Sequence, residues 1–260
     1  MALDKYRKKR SEDKTPEPFG GKGSGKELIF VVQKHDASHL HYDFRLEMDG
    51  VLKSWAVPKG PSLDPDVKRL AMMVEDHPYD YRNFEGIIPK GQYGGGTVIV
   101  WDTGTYEAAE PVEGDLKKQE KILLHQLYSG KLKIKLNGEK LKGEFALVKA
   151  YGGQENSWLL MKLDDKYAST KDIGLKDKSV LSKKTIAQME KSPDKGYGKN
   201  IVKKKSTAKD EPAGNKSAVD LVDEQLDPKE EKTTEIDVAK TLKGLPEKHS
   251  TNMSNRCSLL

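Results

Sequence analysis

From Glu27 onward the chain breaks into short runs in which apolar and polar residues alternate, each closed by a turn signal. That pattern restricts it to antiparallel β-structure. "HYDFRLEM" (41–48) alternates strictly, "DG" at 49 and 50 is a hairpin signal, and "VLKSWAVP" (51–58) returns. "ELIFVVQK" (27–34) is a largely apolar strand, and "RLAMMVEDH" (69–77) is another. "GTVIVWD", "TGTYEAA", "KLKIKL", an "NG" turn at 137 and 138, "KLKGEFALVKA" and "NSWLLMKLDD" follow. Many short strands with tight turns predict a mainly β fold, a barrel or a sandwich with few, short helices. No internal repeat is found.

Composition divides the chain. Only 35% of the 260 residues are hydrophobic while 33% are charged, which suits a packed domain with solvated ends. Residues 1–26, basic and then Pro- and Gly-rich ("TPEPFGGKGSGK"), are expected to form an extended N-terminal arm. Residues 27–191 contain all three tryptophans (Trp55, Trp101, Trp158), as the core of one domain requires, and "SVLSKKTIAQMEK" (179–191) has the spacing of a short closing helix. Residues 192–260 hold one aromatic, Tyr197, and are expected to be a disordered charged tail, with "KKK" at 203–205 a solvated run. A single cysteine, Cys257, rules out an internal disulfide and suits a reducing, cytoplasmic setting. No signal peptide or membrane span is expected, because no long apolar run occurs. The net charge of +5 is compatible with a polyanionic partner.

The chemistry concentrates in "QKHDASHLHYDFRLEMDG" (33–50), which uses three of the chain's six histidines. Alternation puts His41, Asp43, Arg45 and Glu47 on one face of a strand, and Tyr42, Phe44, Leu46 and Met48 on the other. The second set is an ordinary core face. His41 and Asp43 can converge on one metal ion, and His35 can fold back over the "DASH" turn as a third ligand. Two imidazoles and a carboxylate suit Mn²⁺, Fe²⁺ or Zn²⁺ and leave positions open for water and substrate. His39 sits in the turn as a bystander. The bland alternative is a polar strand face of hydrogen-bonded histidines.

In "RLAMMVEDHPYDY" the residues Arg69, Ala71, Met73, Glu75 and His77 share parity, so Glu75 and His77 can face the same cavity. His77 is then a phosphate contact or general acid, or else a strand-end cap before Pro78. Lys59, on a rigid turn after Pro58, is placed to reach an anionic substrate. "IIPKGQYGGGT" lacks P-loop spacing and reads as a flexible turn at the rim. No G-x-S-x-G elbow occurs, and "EMDG" has Glu47 where a ligase would need its nucleophilic lysine. What remains is metal-activated water beside cationic groups, equipment for hydrolysing phosphate esters.

The stretch from "FVVQKHDASHLHYDFRLEMDG" through "RLAMMVEDHPYDYRNFEGIIPKGQYGGGTVIVWDTGTYE" resembles the 3′-phosphoesterase domain of DNA ligase D, an end-joining repair enzyme of bacteria and archaea. The resemblance covers roughly residues 1–190. It implies a β-barrel hydrolase, a metal-dependent 3′-phosphodiesterase and 3′-phosphomonoesterase. Such an enzyme removes a 3′-terminal ribonucleoside and then the 3′-phosphate at a DNA primer–template. It implies Mn²⁺ as cofactor, with Co²⁺ or Zn²⁺ tolerated, held by His35, His41 and Asp43. Arg45 and His77 would hold the scissile phosphate, and Gln33, Lys59, Arg69, Glu75 and Tyr81 match further active-site positions. Arg10 and Glu17 match an arginine and a glutamate of the family's arm, although Ser11 stands where the family often has an aspartate. The expected partners are the DNA end, a DNA ligase and Ku, with the chain a monomeric, stand-alone version of the module. Two other readings compete. One is a non-catalytic DNA-end binding module. The other is a two-His-one-carboxylate iron oxygenase, disfavoured by the cationic set and by a second histidine so close in sequence.

Overall fold

The computed structural model describes residues 2–23, 25–110, 115–151 and 154–191. The expected tail at 192–260, with its lysine run at 203–205, lies outside the described residues. Nine strands form among the described residues: β1 (Leu28–Asp36), β2 (Leu40–Met48), β3 (Val51–Val57), β4 (Lys68–Met73), β5 (Gly86–Ile88), β6 (Gly96–Ala108), β7 (Lys131–Gly138), β8 (Lys142–Lys149) and β9 (Ser157–Lys162). Eight of them pair antiparallel in the order β1-β2-β3-β4-β9-β8-β7-β6, and β6 returns to β1, closing a barrel; β5 lies along the start of β6. The β2–β3 hairpin turns through Asp49 (φ 55°) and Gly50 (φ 71°), the left-handed pair that matches strand twist.

The barrel is filled by alternate residues of its strands, among them Phe30, Phe44, Leu46, Trp55, Trp101, Ile134, Phe145, Leu147 and Trp158. Three helices flank it: α1 (Asp4–Lys9), α2 (Leu116–Tyr128) and α3 (Ile186–Lys191). α2 was not anticipated. Asp115 caps it by accepting from Lys118 N at 3.0 Å, and its Leu123 and Leu127 join the barrel core. No helix among the described residues is long and apolar enough to cross a membrane.

Several sequence expectations change in detail. "GTVIVWD" and "TGTYEAA" are one strand, β6, with a register shift against β1 between Val32 and Gln33. "NG" ends β7 and is not itself the turn. The chain reverses over Gly138–Leu141, where the buried Asp102 carboxylate accepts from the backbone N–H groups of Glu139, Lys140 and Leu141. The closing helix is shorter than predicted. Ser179 donates to the buried Glu85 carboxylate and Val180 N bonds to Val100 O at 2.9 Å, so residues 179–185 follow β6 before α3 begins. The arm contains α1 and is not extended throughout, because Leu3 and Tyr6, one turn apart, pack on the outer side of the barrel wall.

That outer packing forms a second core. Tyr6, Phe19, Tyr79, Tyr81, Phe84, Ile88 and Val180 cover outward residues Val31, Leu52, Val98 and Val100. The outward faces of β1, β2 and β3 are therefore buried like the inward ones, and the polar residues there sit between two apolar layers.

Candidate metal centre and active site

The register of β1 against β2 sets His35 opposite His41, Gln33 opposite Asp43 and Val31 opposite Arg45; β3 sets Ala56 opposite Asp43 and Ser54 opposite Arg45. Ligand atoms of His35, His41 and Asp43 lie within 4.8 Å of one another, all three residues buried. His35 Nε2 lies 2.9 Å from Gly94 O, and His41 Nδ1 lies 2.9 Å from His39 O. A carbonyl can only accept, so each of these nitrogens carries the ring hydrogen. The remaining ring nitrogens, His35 Nδ1 and His41 Nε2, face the Asp43 oxygens at 3.6 and 3.8 Å, too far for hydrogen bonds. Three lone-pair donors converging without a hydrogen between them, with both rings oriented by backbone carbonyls, fit a divalent cation.

Charge on these groups follows their surroundings. Burial works to raise the Asp43 carboxyl, but Arg45 and the two histidines hold it well below the usual carboxylate range. Burial lowers His41, which keeps that imidazole neutral and available as a ligand.

Arg45 is fixed on three sides. Nε donates to Gln33 Oε1 at 2.8 Å, Nη1 to Ser54 Oγ at 2.9 Å, and Nη2 meets Asp43 Oδ2 at 3.0 Å. Gln33 is held in turn by donating to Tyr81 O (3.0 Å) and Phe84 O (2.9 Å).

The arm completes the wall. Arg10 donates from Nε to Glu17 (2.8 Å), from Nη1 to Glu75 (3.0 Å) and from Nη2 to His77 Nε2 (3.3 Å). Tyr81 and Thr15 also donate to Glu17, at 2.9 and 2.6 Å. Lys9 bridges Glu75 and Tyr93, both at 3.0 Å. His77 Nδ1 donates to Glu75 O (2.9 Å), so Nε2 is the acceptor for Arg10; burial, then Arg45 and Arg10, push its pKa well below the ordinary value and keep it neutral. Burial raises Glu75, but Arg10 and Lys9 outweigh it and leave the carboxyl depressed. Arg10, His35, His41, Asp43, Arg45, Glu75, His77, Tyr81, Tyr93 and Gly94, with the apolar Ala56, Val74 and Ile88, line a cavity with about 430 Å³ of empty volume, part of it open to solvent.

Glu75 and His77 reach the cavity by a route that alternation did not foresee. β3 pairs Trp55 with Met73, Val74 N bonds Ser54 O, and Leu52 bridges His77. The chain advances three residues, from Val74 to His77, while β3 advances two, from Ser54 to Leu52. This one-residue bulge shifts the phase. His77 therefore faces outward with Leu52, while Arg69 shares the face of Ala71 and Met73, which pack in the barrel core. Arg69 does not line the cavity, and its buried Nε has no hydrogen-bond partner among the described residues. Lys59 is exposed in the turn after β3 and does not line it either. Gln33 acts on the cavity through Arg45. Several contributors went unanticipated, among them Lys9 and Thr15 of the arm. Ser54 was accessible from β3 alternation; Tyr93 and the Gly94 carbonyl, from a loop expected to be a flexible rim, carried no sequence signal.

Residues 33–149 match the family described as the DNA Ligase D 3′-phosphoesterase domain. This region belongs to that family. The LigD non-homologous end joining protein of Pseudomonas aeruginosa is 48% identical over 192 residues, 71% of this chain and 22% of the relative. Those of Mycobacterium bovis and Mycolicibacterium smegmatis are 42% and 40% identical, over 62% and 63% of this chain and 20% and 21% of theirs. The chain thus spans about a fifth of the length of these relatives. In 3′-phosphoesterase terms, the matched region carries the His35–His41–Asp43 cluster, Arg45 and His77, while Arg10 and Glu17 lie in the arm before it.

Proposed function

We propose that this domain is a manganese-dependent DNA 3′-end-processing phosphoesterase. It removes 3′-terminal ribonucleosides and 3′-phosphates at primer–template ends, leaving a 3′-OH for a DNA ligase. The observation that carries the reading is the buried trio of His35, His41 and Asp43 in one cavity with Arg45, Arg10 and His77. His35 Nδ1, His41 Nε2 and an Asp43 oxygen would hold the ion. Bound there, a divalent metal supplies Lewis acidity toward a phosphoryl oxygen and a hydroxide-like nucleophile near neutral pH.

The chain's own groups bind and orient the phosphate. Arg45 and Arg10 each retain guanidinium N–H groups beyond those in the bonds described. Both are held rigid, so they offset developing negative charge without reorganising. Neutral His77, oriented by Glu75 O, offers its unprotonated Nε2 as an acceptor for an O–H group, of a water or of a protonated phosphate, once Nε2 exchanges Arg10 for substrate. Glu17, Glu75, Tyr81 and Gln33 are positioning residues for the two arginines. Ala56, Val74 and Ile88 keep bulk water away. The end-joining names of the relatives support a DNA-repair setting; a cytoplasmic location and a DNA ligase and Ku as partners are part of the proposal. The test is a labelled primer–template ending in one ribonucleotide, incubated with and without Mn²⁺ and resolved by gel. Shortening to a 3′-phosphate and then a 3′-OH, with Mn²⁺ alone, is expected; an unchanged primer overturns the reading.

A further inference from the structure

α1 divides its side chains by function. Tyr6, Lys9 and Arg10, spaced i, i+3 and i+4, turn inward. Tyr6 is fully buried with its ring 5.1 Å from His77, and Lys9 and Arg10 engage Glu75. Lys5, Arg7 and Lys8 are exposed on the other side. A six-residue helix is too short to persist alone in water. Docking through Tyr6 is what holds these three cations, as one fixed group, beside the cavity mouth. The acids nearest in sequence, Asp4, Glu12 and Asp13, are outnumbered by Lys5, Arg7, Lys8, Lys9, Arg10 and Lys14.

We propose that the outward face of α1, through Lys5, Arg7 and Lys8, is a docking surface for the phosphate backbone of the duplex behind the 3′ end. The inference rests on the phosphoesterase reading for the occupant of the cavity. If that occupant is a strand terminus, the adjoining duplex must run over a neighbouring surface. α1 offers one with complementary charge, held to the same groups that line the cavity. Its contribution is independent of sequence and sensitive to salt, because each neutralised phosphate releases counterions.

The test compares the full chain with the triple variant Lys5→Gln, Arg7→Gln, Lys8→Gln. A fluorescein-labelled hairpin duplex ending in 3′-OH is titrated in EDTA across a salt series, and hydrolysis of a 3′-mononucleotide is measured in parallel with Mn²⁺. The variant is expected to bind the duplex at least about 10-fold more weakly at low salt. The slope of log K against log salt should become shallower by about 2 to 3, and mononucleotide hydrolysis should be unchanged. Unchanged affinity and slope overturn the proposal. Equal losses on duplex and mononucleotide overturn it too, since the cations would then act on arm docking and not on the duplex. Binding is read without turnover, so a chain that grips the duplex through α1 yet leaves 3′-phosphates intact would sink the phosphoesterase reading and keep this one.

Discussion

The two faces of β2 are both buried and differ in what buries them. Tyr42, Phe44, Leu46 and Met48 enter the barrel core, enclosed by the strands that close around them. His41, Asp43, Arg45 and Glu47 point outward and are enclosed by pieces from elsewhere: the arm, the segment from Tyr79 to Phe84, and the Gly94 loop. The inward face is held by apolar area, the outward face by hydrogen bonds and ion pairs. The comparison teaches that stability and chemistry are separable on one strand: the barrel does not need the polar face, and the polar face needs its cover.

The sharpest break of this separation is at neighbouring positions. Asp43→Ala should reduce Mn²⁺-dependent cleavage to background while thermal unfolding stays cooperative, because a ligand is lost and the barrel core is untouched. Phe44→Ala should cost about 3–5 kcal/mol of stability in urea unfolding, through a cavity in the core. If Asp43→Ala also abolished cooperative unfolding, the two faces would not be independent.

The cover can be broken on its own. Glu17→Ala leaves Arg10, Tyr81 and Thr15 without their shared acceptor, and a buried charge without its partner costs about 3 kcal/mol. The arm should become sensitive to limited proteolysis while the barrel's unfolding transition stays put. Acid should act in the same place. The folded-state pKa of Glu75 is lowered, so its contribution is complete above the ordinary glutamate value of 4.5 and is lost as pH falls below that through the depressed folded value. Arm protection should therefore fade on the acid side, and Glu75→Gln should flatten that limb. The smallest effect is expected from Tyr93→Phe, which deletes the acceptor for Lys9 and should weaken docking by about 1 kcal/mol, a few-fold rise in proteolytic nicking.

Much of this was legible in the residues. Alternation in 41–48 located the His41–Asp43–Arg45 face, and the short turn back to His35 located the third member of the trio. Arg10 and Glu17 were legible through family resemblance and not through spacing. Arg69 and Lys59 stand outside the cavity lining for a physical reason. Parity carried past Met73 ignores the bulge that puts His77 opposite Leu52, and a turn lysine's reach is not a property of its turn. α2 had a capping aspartate and leucines at helical spacing, yet was passed over among so many strand signals.

What the sequence by itself determined is the period of two on each strand, and with it the barrel's apolar lining and the placing of His35, His41 and Asp43 on one surface. Successive side chains on a strand must point opposite ways, whatever surrounds them. Tertiary structure alone decided where the ladder slips after Val74, which carbonyl orients His35, and that the arm folds over the outward face to bury it. Those depend on partners tens of residues away in sequence, whose pairing is set by packing and not by local geometry.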